Sequence, residues 1–190
     1  MNYSLETTKQ MEIWMEAFQP KPDDPALELV GNKTPITLKN IKYSSRYSKA
    51  THLFQATIYM DGKRAMKVSN DGKGEFNQYY HTRGQSHHEF KSQFERAIKI
   101  AANYAEEKTP TSYLLDELVN DLMNEYFALK QMRNKMKTKT ICYDKKLKKV
   151  FQYKQKPTPE ALGYFKKRNP DVLIFNELPE SEAYYYWRKC

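Results

Sequence analysis

The feature that most restricts the fold of this chain is an Asp-Gly pair between two alternating segments. Residues 52–60 have an alternation typical of a β-strand, in which every second residue, on one face, is apolar: Phe54, Ala56, Ile58 and Met60. Asp61 and Gly62 follow, and a second strand-like run spans residues 64–69. Asp-Gly between two such runs favours a type I′ turn, because both central residues of that turn need a positive φ. The sequence therefore predicts an antiparallel β-hairpin.

Further strands and a helix are predicted on either side of this hairpin. Residues 36–43 and 76–81 have the composition of short strands. Ser86 and Glu89 form a capping-box pattern, which predicts the start of a helix. The apolar residues of that helix fall on one face, at Phe90, Phe94, Ala97, Ala101 and Tyr104. Thr109-Pro110 is expected to end it.

A longer helix should follow the proline. Its apolar residues keep a three- and four-residue spacing, at Leu115, Leu118, Leu122, Leu129, Met132 and Met136. Glu125 interrupts this seam, and Asp116, Glu117, Asp121 and Glu125 are all expected to be solvated. Two antiparallel helices across a short turn are the simplest packing. A coiled-coil dimer is the alternative.

Separate elements are predicted at the two ends of the chain. An apolar stripe within residues 6–18 indicates a helix, either docked on the core or binding a partner, and residues 20–34 form a loop or linker. The C-terminal part predicts a second hairpin, a helix, a short strand and a closing helix, over residues 139–154, 158–167, 172–175 and 181–188. The aromatic run 184–187 either packs inward or offers a surface on which bases stack.

The predicted fold class is α+β. An antiparallel sheet with a β-hairpin packs on an antiparallel helix pair, and a basic C-terminal hairpin and helix region follows. Either residues 1–138 form an α+β unit and residues 139–190 a basic β/α subdomain, or residues 1–190 form a single domain. A chain of 190 residues can bury a core without disulfides, and its 14% aromatic content favours a folded protein.

Cysteine content and apolar patterning predict the compartment. The only two cysteines are Cys142 and Cys190, which is too few for a disulfide framework and favours reduced thiols. The first ten residues lack the basic start and apolar run of a signal peptide, and no apolar run approaches the length of a membrane span. We therefore expect a cytoplasmic protein that does not contact membranes, and no motif predicts a cofactor.

Positive charge is concentrated in one stretch of the chain. Residues 130–168 hold 14 Lys and Arg against Asp144 and Glu160, so their net charge is 14 − 2 = +12. The whole chain carries +9, so the remainder sums to 9 − 12 = −3. The candidate binding residues of this stretch are Lys130, Arg133, Lys137, Lys145, Lys146, Lys148, Lys149, Lys166, Lys167 and Arg168.

Three interpretations of the basic stretch remain open from sequence. Interleaved aromatic residues favour an anion-binding face for nucleic acid, a nucleotide or another polyanion. An acidic surface of another protein is the second interpretation, and solubility alone is the third. Lysine outnumbers arginine twelve to two here, which favours diffuse phosphate contact over bidentate base recognition.

Two smaller groups of residues are candidates for other chemistry. The loop of residues 69–74 offers converging backbone amides and a lysine for an anion, at Asn70, Gly72, Lys73 and Gly74. It matches neither a Walker A loop nor an EF-hand, and a plain turn is the alternative. A histidine cluster at residues 81–88 suggests a metal site, with candidates His81, His87, His88 and Glu89 and with Asp71 as a further ligand. Its spacing matches no zinc pattern, so solvated or capping histidines are the alternative.

One part of the sequence resembles known proteins. The segments 36–40, 54–63 and 68–72, with their Asp-Gly-Lys hairpin and Ser-Asn-Asp-Gly loop, resemble small accessory proteins of tailed bacteriophages. The resemblance covers about residues 35–81 and carries over no catalytic residue. It implies host-takeover or anti-defence roles, in which such proteins bind a host protein, nucleic acid or a signalling nucleotide.

The sequence therefore favours a non-catalytic binding protein of α+β architecture. Its first expected partner is a phosphate-bearing molecule on the Lys-rich face. The alternative is an inhibitor that binds an acidic host protein. The third hypothesis is a metal-dependent hydrolase built on the histidine cluster, which needs those ligands to meet in space.

Overall fold

A computed structural model describes residues 29–44, 46 and 48–188 of this chain. The helix predicted over residues 6–18 and the C-terminal Cys190 lie outside these ranges. The described residues contain both helices and antiparallel sheets, which confirms the predicted α+β class.

The first sheet has four antiparallel strands in sequential order. They are β1 (Ile36–Ser44), β2 (Leu53–Met60), β3 (Lys63–Asp71) and β4 (Gln78–Tyr80). The turn between β2 and β3 has φ values of 48° at Asp61 and 75° at Gly62. Both angles are positive, as the predicted type I′ hairpin requires.

One face of this sheet is buried and the other is open among the described elements. The alternating residues of β2 on the buried face are Phe54, Ala56, Ile58 and Met60, as the sequence predicts. They pack in a first hydrophobic cluster with residues of β1 and β3 and of the two long helices. The side chains at the intervening positions of the strands therefore point away from the helices.

The helix α2 (His87–Tyr104) begins as predicted and ends earlier than predicted. At its start, the backbone N–H of Glu89 donates to the Ser86 hydroxyl oxygen at 3.1 Å. At its end, Glu106 has a φ of 58°, and the N–H of Glu107 donates to the carbonyl of Ala102 at 2.9 Å. This is a Schellman motif with glutamate at the left-handed position. The helix stops there, ahead of Thr109-Pro110.

The helix α3 (Ser112–Met136) is the longest element among the described residues. The predicted apolar seam is confirmed, since its members are buried except Met136, which is half-buried. Glu125, which interrupts the seam, is itself buried with 9% of its surface exposed. Its carboxylate accepts a hydrogen bond from the backbone N–H of Val30, at the first residue of the short helix α1 (Val30–Lys33).

The C-terminal part forms a second, three-stranded sheet with order β6-β5-β7. The strands are β5 (Thr140–Asp144), β6 (Lys149–Tyr153) and β7 (Val172–Ile174), all antiparallel to their neighbours. The helix α4 (Pro159–Arg168) is capped by the Thr158 hydroxyl oxygen, which accepts from the N–H of Ala161 at 3.3 Å. A 3₁₀ turn (Phe175–Glu177) and the helix α5 (Glu180–Arg188) follow.

One continuous helix connects the two sheets. Residues 114–123 of α3 bury apolar side chains in the first cluster, whereas Leu129 and Met132 are buried in a second cluster. The second cluster also contains residues of β5, the 3₁₀ turn and α5, notably Ile141, Phe175 and Tyr184. Within the described part of the chain, no helix is both long enough and apolar enough to cross a membrane.

Two glycines allow a matched test of the hairpin turn. Gly62 has a φ of +75°, where an L-residue with a Cβ is strained, whereas Gly163 lies within α4 with open space at its Cβ position. We expect Gly62→Ala to lower the free energy of unfolding by about 1 kcal/mol. Gly163→Ala should raise it by about 0.5–1 kcal/mol, because alanine is the better helix former. Urea unfolding measures both, and two changes of equal sign would contradict the assigned turn.

Glu125 allows a test of the contact between α1 and α3. Glu125→Ala leaves the N–H of Val30 without its acceptor, so we expect a loss of about 1–3 kcal/mol in the free energy of unfolding. The control Asn134→Ala, exposed on the same helix, should change it by less than about 0.5 kcal/mol. Burial raises the pKa of the Glu125 carboxyl. The folded state therefore keeps this proton at pH values where the unfolded state has lost it.

It follows that Glu125 favours folding most below its unfolded-state pKa, and that this contribution declines as the pH rises through the folded-state pKa. Glu125→Gln keeps an acceptor and removes the titrating proton. Unfolding curves across acidic to neutral pH should therefore show a shallower decline of stability for Glu125→Gln than for the natural protein. Parallel profiles would contradict this interpretation.

Candidate functional site

The loop of residues 69–74 is organised by the side chain of Asn70, which is only 5% exposed. Its Oδ1 accepts from the Thr51 hydroxyl at 2.7 Å and from the N–H of Gly72 at 2.9 Å. Its Nδ2 donates to the carbonyl of Glu75 at 2.9 Å and to Oδ1 of Asn77 at 3.1 Å. The bond from Gly72 closes the loop on itself, and the other three hold the loop to neighbouring segments of the same chain.

The amides predicted to cradle an anion are already used within this loop. The N–H of Lys73 donates to Oδ1 of Asp71 at 3.0 Å, and that of Gly74 donates to the Thr51 hydroxyl oxygen at 3.2 Å. The Lys73 ammonium lies 3.4 Å from Oδ2 of Asp71. An anion would have to displace these bonds, so the geometry favours the plain structural turn over the anion cradle.

The predicted histidine cluster does not converge on a common point. The ring of His81 stacks on Phe90, with centroids 4.4 Å apart, and His87 stacks on His81 at 5.6 Å. His88 and Glu89 are exposed in the first turn of α2. Over the described ranges, no group of three or more His, Cys, Asp or Glu side chains is placed to hold a metal ion. The hydrolase hypothesis therefore has no supporting geometry in those residues.

Ion pairs occupy Arg133, Lys146 and Lys166 of the candidate residues in the basic stretch. Arg133 makes two hydrogen bonds with Glu180, at 2.5 and 2.6 Å. The Lys146 ammonium lies 2.5 Å from the Asp171 carboxylate. The third pair joins Lys166 and Glu177 at 2.8 Å. These acids follow residue 168, so a charge count that stops there overstates the local excess.

Two other candidate cations lie over aromatic rings. The Lys130 ammonium is 4.6 Å from the ring centroid of Tyr43 and 5.6 Å from that of Tyr126. The guanidinium of Arg168 lies 4.9 Å from the ring of Tyr164. Such contacts leave the positive charge in place while giving each side chain a structural role. Lys130, Arg133 and Lys137 thus follow one helix but differ in their contacts.

The remaining candidates lie mainly around the edge strand β6. Lys148 and Lys149 are exposed at its start, and neither forms an ion pair with any described residue. Lys137 and Lys167 are likewise exposed, at the ends of α3 and α4. Lys145 differs, because it is partly buried and burial lowers the pKa of its ammonium, while Glu182 and Asp171 act in the opposite direction.

Two lysines beyond the far end of β6 complete this group, although they were not among the candidate residues. Lys154 and Lys156 are exposed and, like the previous pair, form no ion pair within the described part of the chain. We define the β6 edge surface as these four lysines, Lys148, Lys149, Lys154 and Lys156. Since β6 is hydrogen-bonded only to β5, its other edge is not covered by a strand of the described sheet.

Two acidic residues predicted to be solvated are buried. Asp116 is 6% exposed, and its Oδ1 accepts from the Tyr79 hydroxyl at 2.6 Å. Burial raises the pKa of the Asp116 carboxyl, and burial together with Asp116 raises the pKa of Tyr79. Glu125 is the second, held by α1. Their acidic character predicted solvent exposure for both side chains, but partners from other elements cover them.

Asp116 lies at the edge of an acidic cleft that sequence reasoning missed. The cleft has a volume of about 500 Å³ and separates the loop of residues 74–77 from the facing ends of α2 and α3. Its ionisable lining residues other than tyrosines are all acidic: Glu75, Asp116, Glu117 and Asp121. Their convergence depends on how β4 and the two helices meet, which no local sequence pattern encodes.

The cysteine and the aromatic run have structural surroundings. Burial raises the pKa of the Cys142 thiol to about 11, which disfavours the reactive thiolate at neutral pH. In α5, Tyr184 is buried, and Tyr186 packs on Tyr143 with ring centroids 4.7 Å apart. Trp187 lies under the Lys135 ammonium at 4.9 Å. These contacts favour inward packing of the run over a platform for bases.

Comparison with known proteins adds no assignment. No protein family, curated protein or solved structure matches this chain. The resemblance to bacteriophage accessory proteins and every functional role therefore remain predictions.

The Asn70 network can be tested with two separate substitutions at neighbouring positions, Asn70→Asp and Asp71→Asn. Asn70→Asp replaces the donating Nδ2 by an oxygen facing two acceptors, so we expect a loss of about 3 kcal/mol or more in the free energy of unfolding. Asp71→Asn keeps the Oδ1 acceptor for Lys73 on an exposed side chain and should cost less than about 0.5 kcal/mol. Thermal and urea unfolding distinguish the two. Equal losses would contradict the proposed role of Asn70.

Proposed function

We propose that this chain is a non-catalytic binding protein that contacts nucleic acid through the β6 edge surface. The observation that supports this most is the set of four exposed lysines, two at each end of an edge strand. None of the four is neutralised by a carboxylate of the described residues. Lysines that are not paired within the protein are available to neutralise phosphates.

The distribution of charge supports the same surface. Residues 130–190 hold 16 Lys and Arg against 6 Asp and Glu, a net charge of +10, and residues 1–129 hold 16 against 17, a net charge of −1. The entire positive excess of the chain therefore lies in residues 130–190, which begin in the C-terminal part of α3. Such an asymmetric field orients the protein toward a polyanion during encounter.

The spacing of the four lysines fits a phosphate backbone. A strand rises about 3.3 Å per residue, so the five residues of β6, which connect the two pairs of lysines, extend over roughly 13 Å. Duplex DNA presents one negative charge per about 1.7 Å along its axis, so several phosphates face an edge of that length. Lysine contacts phosphates as a point charge, so the proposed contact is independent of base sequence.

The test replaces the β6 edge surface and a matched set of cations elsewhere. The edge variant combines Lys148→Gln, Lys149→Gln, Lys154→Gln and Lys156→Gln. The control variant removes the same charge from α2 and its flanks, with Arg83→Gln, Lys91→Gln, Lys99→Gln and Lys108→Gln. Binding to duplex DNA, single-stranded DNA and RNA is measured by gel shift at about 50 mM salt, because electrostatic contacts are strong at that concentration. We expect the edge variant to bind every probe more weakly, and the control to remain close to the natural protein.

The dependence of affinity on salt gives an independent measurement. Each lost phosphate contact should flatten the slope of log affinity against log salt by about 0.9 for duplex DNA. A change of about 2–4 in the edge variant, with a smaller change in the control, supports the proposal. Absence of detectable binding by the natural protein to all three probes would overturn it, and so would equal effects of the two variants.

A pull-down from nuclease-treated host lysate addresses the alternative of a protein partner. Nucleic-acid binding predicts that recovered partners disappear after nuclease treatment. A stoichiometric protein that survives nuclease and is lost in the edge variant would assign the same lysines to an acidic protein surface instead.

A further inference from the structure

We infer that the open face of the four-stranded sheet is a second nucleic-acid surface, and that it takes single-stranded nucleic acid. This inference uses residues of β1 to β4 and does not depend on the β6 edge surface. The polar, charged and aromatic residues of this face include Lys39, Lys42, Gln55, Tyr59, Arg64, Lys67, Ser69, Gln78 and Tyr80.

The strand register brings these residues together on the face opposite the helices. Lys39 pairs with Thr57, Thr57 with Lys67, and Lys67 with Tyr80, in one row across all four strands. Each member of the row lies one position from a residue of the buried face, such as Ile58 or Val68. Adjacent strands are about 4.8 Å apart, so the backbones of Lys39 and Lys67 are separated by roughly 10 Å.

The charges on this face are almost all of one sign. Lys39, Lys42, Arg64 and Lys67 are exposed, and none of them forms an ion pair with a described residue. The one acid of the face is Asp71, at the end of β3, and it is paired with Lys73. A sheet face that serves only solubility usually mixes the two signs. This face is instead complementary to an anion.

Aromatic rings lie among these cations. Tyr80, on the edge strand β4, is 45% exposed beside Lys67. Tyr59, on the central strand β2, is half-buried, and the Lys39 ammonium lies 4.5 Å from its ring centroid. Bases stack on exposed rings while nearby cations contact the phosphates. Four-stranded sheets in RNA-binding domains hold two or three bases in this manner.

A cleft on the sheet provides room for a base with polar groups beside it. It has a volume of about 460 Å³, and its lining includes Lys42, Gln55, Ser69 and Gln78. These four residues form the next row of the sheet, since Lys42 pairs with Gln55, Gln55 with Ser69 and Ser69 with Gln78. Amide and hydroxyl groups can both donate and accept, which suits the edge of an unpaired base.

The composition of the face favours nucleic acid over a protein partner. The centre of a protein–protein interface is depleted in lysine and enriched in apolar side chains. Apart from its tyrosines, this face has the opposite composition, with lysine and glutamine at its exposed positions. Single strands are favoured over duplexes, because the bases of a duplex are stacked on each other and cannot reach Tyr80.

The experiment measures binding of the full chain to a short fluorescent single-stranded oligonucleotide, as DNA and as RNA, and to the matching duplex. Tyr80→Ala should weaken single-strand binding by about 5- to 150-fold, the range of one lost stacking contact, and leave duplex binding unchanged. Tyr80→Phe keeps the ring and should retain affinity. Lys39→Gln with Lys67→Gln should weaken single-strand binding and flatten its salt slope by about 1.4, for two phosphates at about 0.7 each.

The matched control is Lys91→Gln with Lys99→Gln, which removes equal charge from α2 and should leave binding close to that of the natural protein. Thermal unfolding checks that each variant is folded. The inference is overturned if Tyr80→Ala and the Lys39/Lys67 variant bind single strands within about two-fold of the natural protein, or if duplex binding falls equally. Loss of binding in the β6 edge variant alone would leave the proposed function standing without this second surface.

Discussion

Helix α3 buries one side of its length in two different hydrophobic clusters, and the arrangement of the chain depends on this shared burial. Residues 114–123 pack with the first sheet and α2, while Leu129 and Met132 pack with the second sheet and α5. Regular backbone hydrogen bonds make an α-helix stiff along its whole length. The two sheets therefore pack on different parts of the same stiff helix. The buried carboxylate of Glu125 lies between these two stretches and receives the N–H of Val30, which ties α1 to the same helix.

The proposed binding surfaces lie on parts of the two sheets that this burial leaves uncovered. In the first sheet, apolar residues face the helices, and the intervening positions carry cations and tyrosines. In the second sheet, β6 is an edge strand, with lysines before and after it. Ion pairing lowers the number of unpaired cations in the basic stretch, because Arg133, Lys146 and Lys166 each contact an acid of the last 20 residues. The cations left over are therefore set by tertiary contacts, although their number is set by composition.

Local patterns predicted most of the elements because their causes are local. The Asp61-Gly62 turn needs only two residues that tolerate positive φ, and the α2 start needs only Ser86 and Glu89. The end of α2 was placed too late, because Glu106 adopts a left-handed conformation for which glycine is the usual signal. Asp116 and Glu125 were expected to be solvated, because helical periodicity describes only the helix that carries them. The Tyr79 hydroxyl covers Asp116 and the Val30 amide covers Glu125, and both groups come from other elements. The resemblance to bacteriophage proteins remains a prediction.

The sequence by itself determined the α+β class, the strand and helix order after residue 36, and the concentration of positive charge beyond residue 130. Turn chemistry, side-chain periodicity and net charge are properties of neighbouring residues, so they can be obtained from the sequence alone. Only the tertiary structure decided which lysines are paired, that Asn70 uses its whole amide within a loop, and that Lys39, Lys67 and Tyr80 share one open face. These outcomes depend on strand register and on contacts between distant segments, where a shift of one residue would turn every side chain of a strand to the other face.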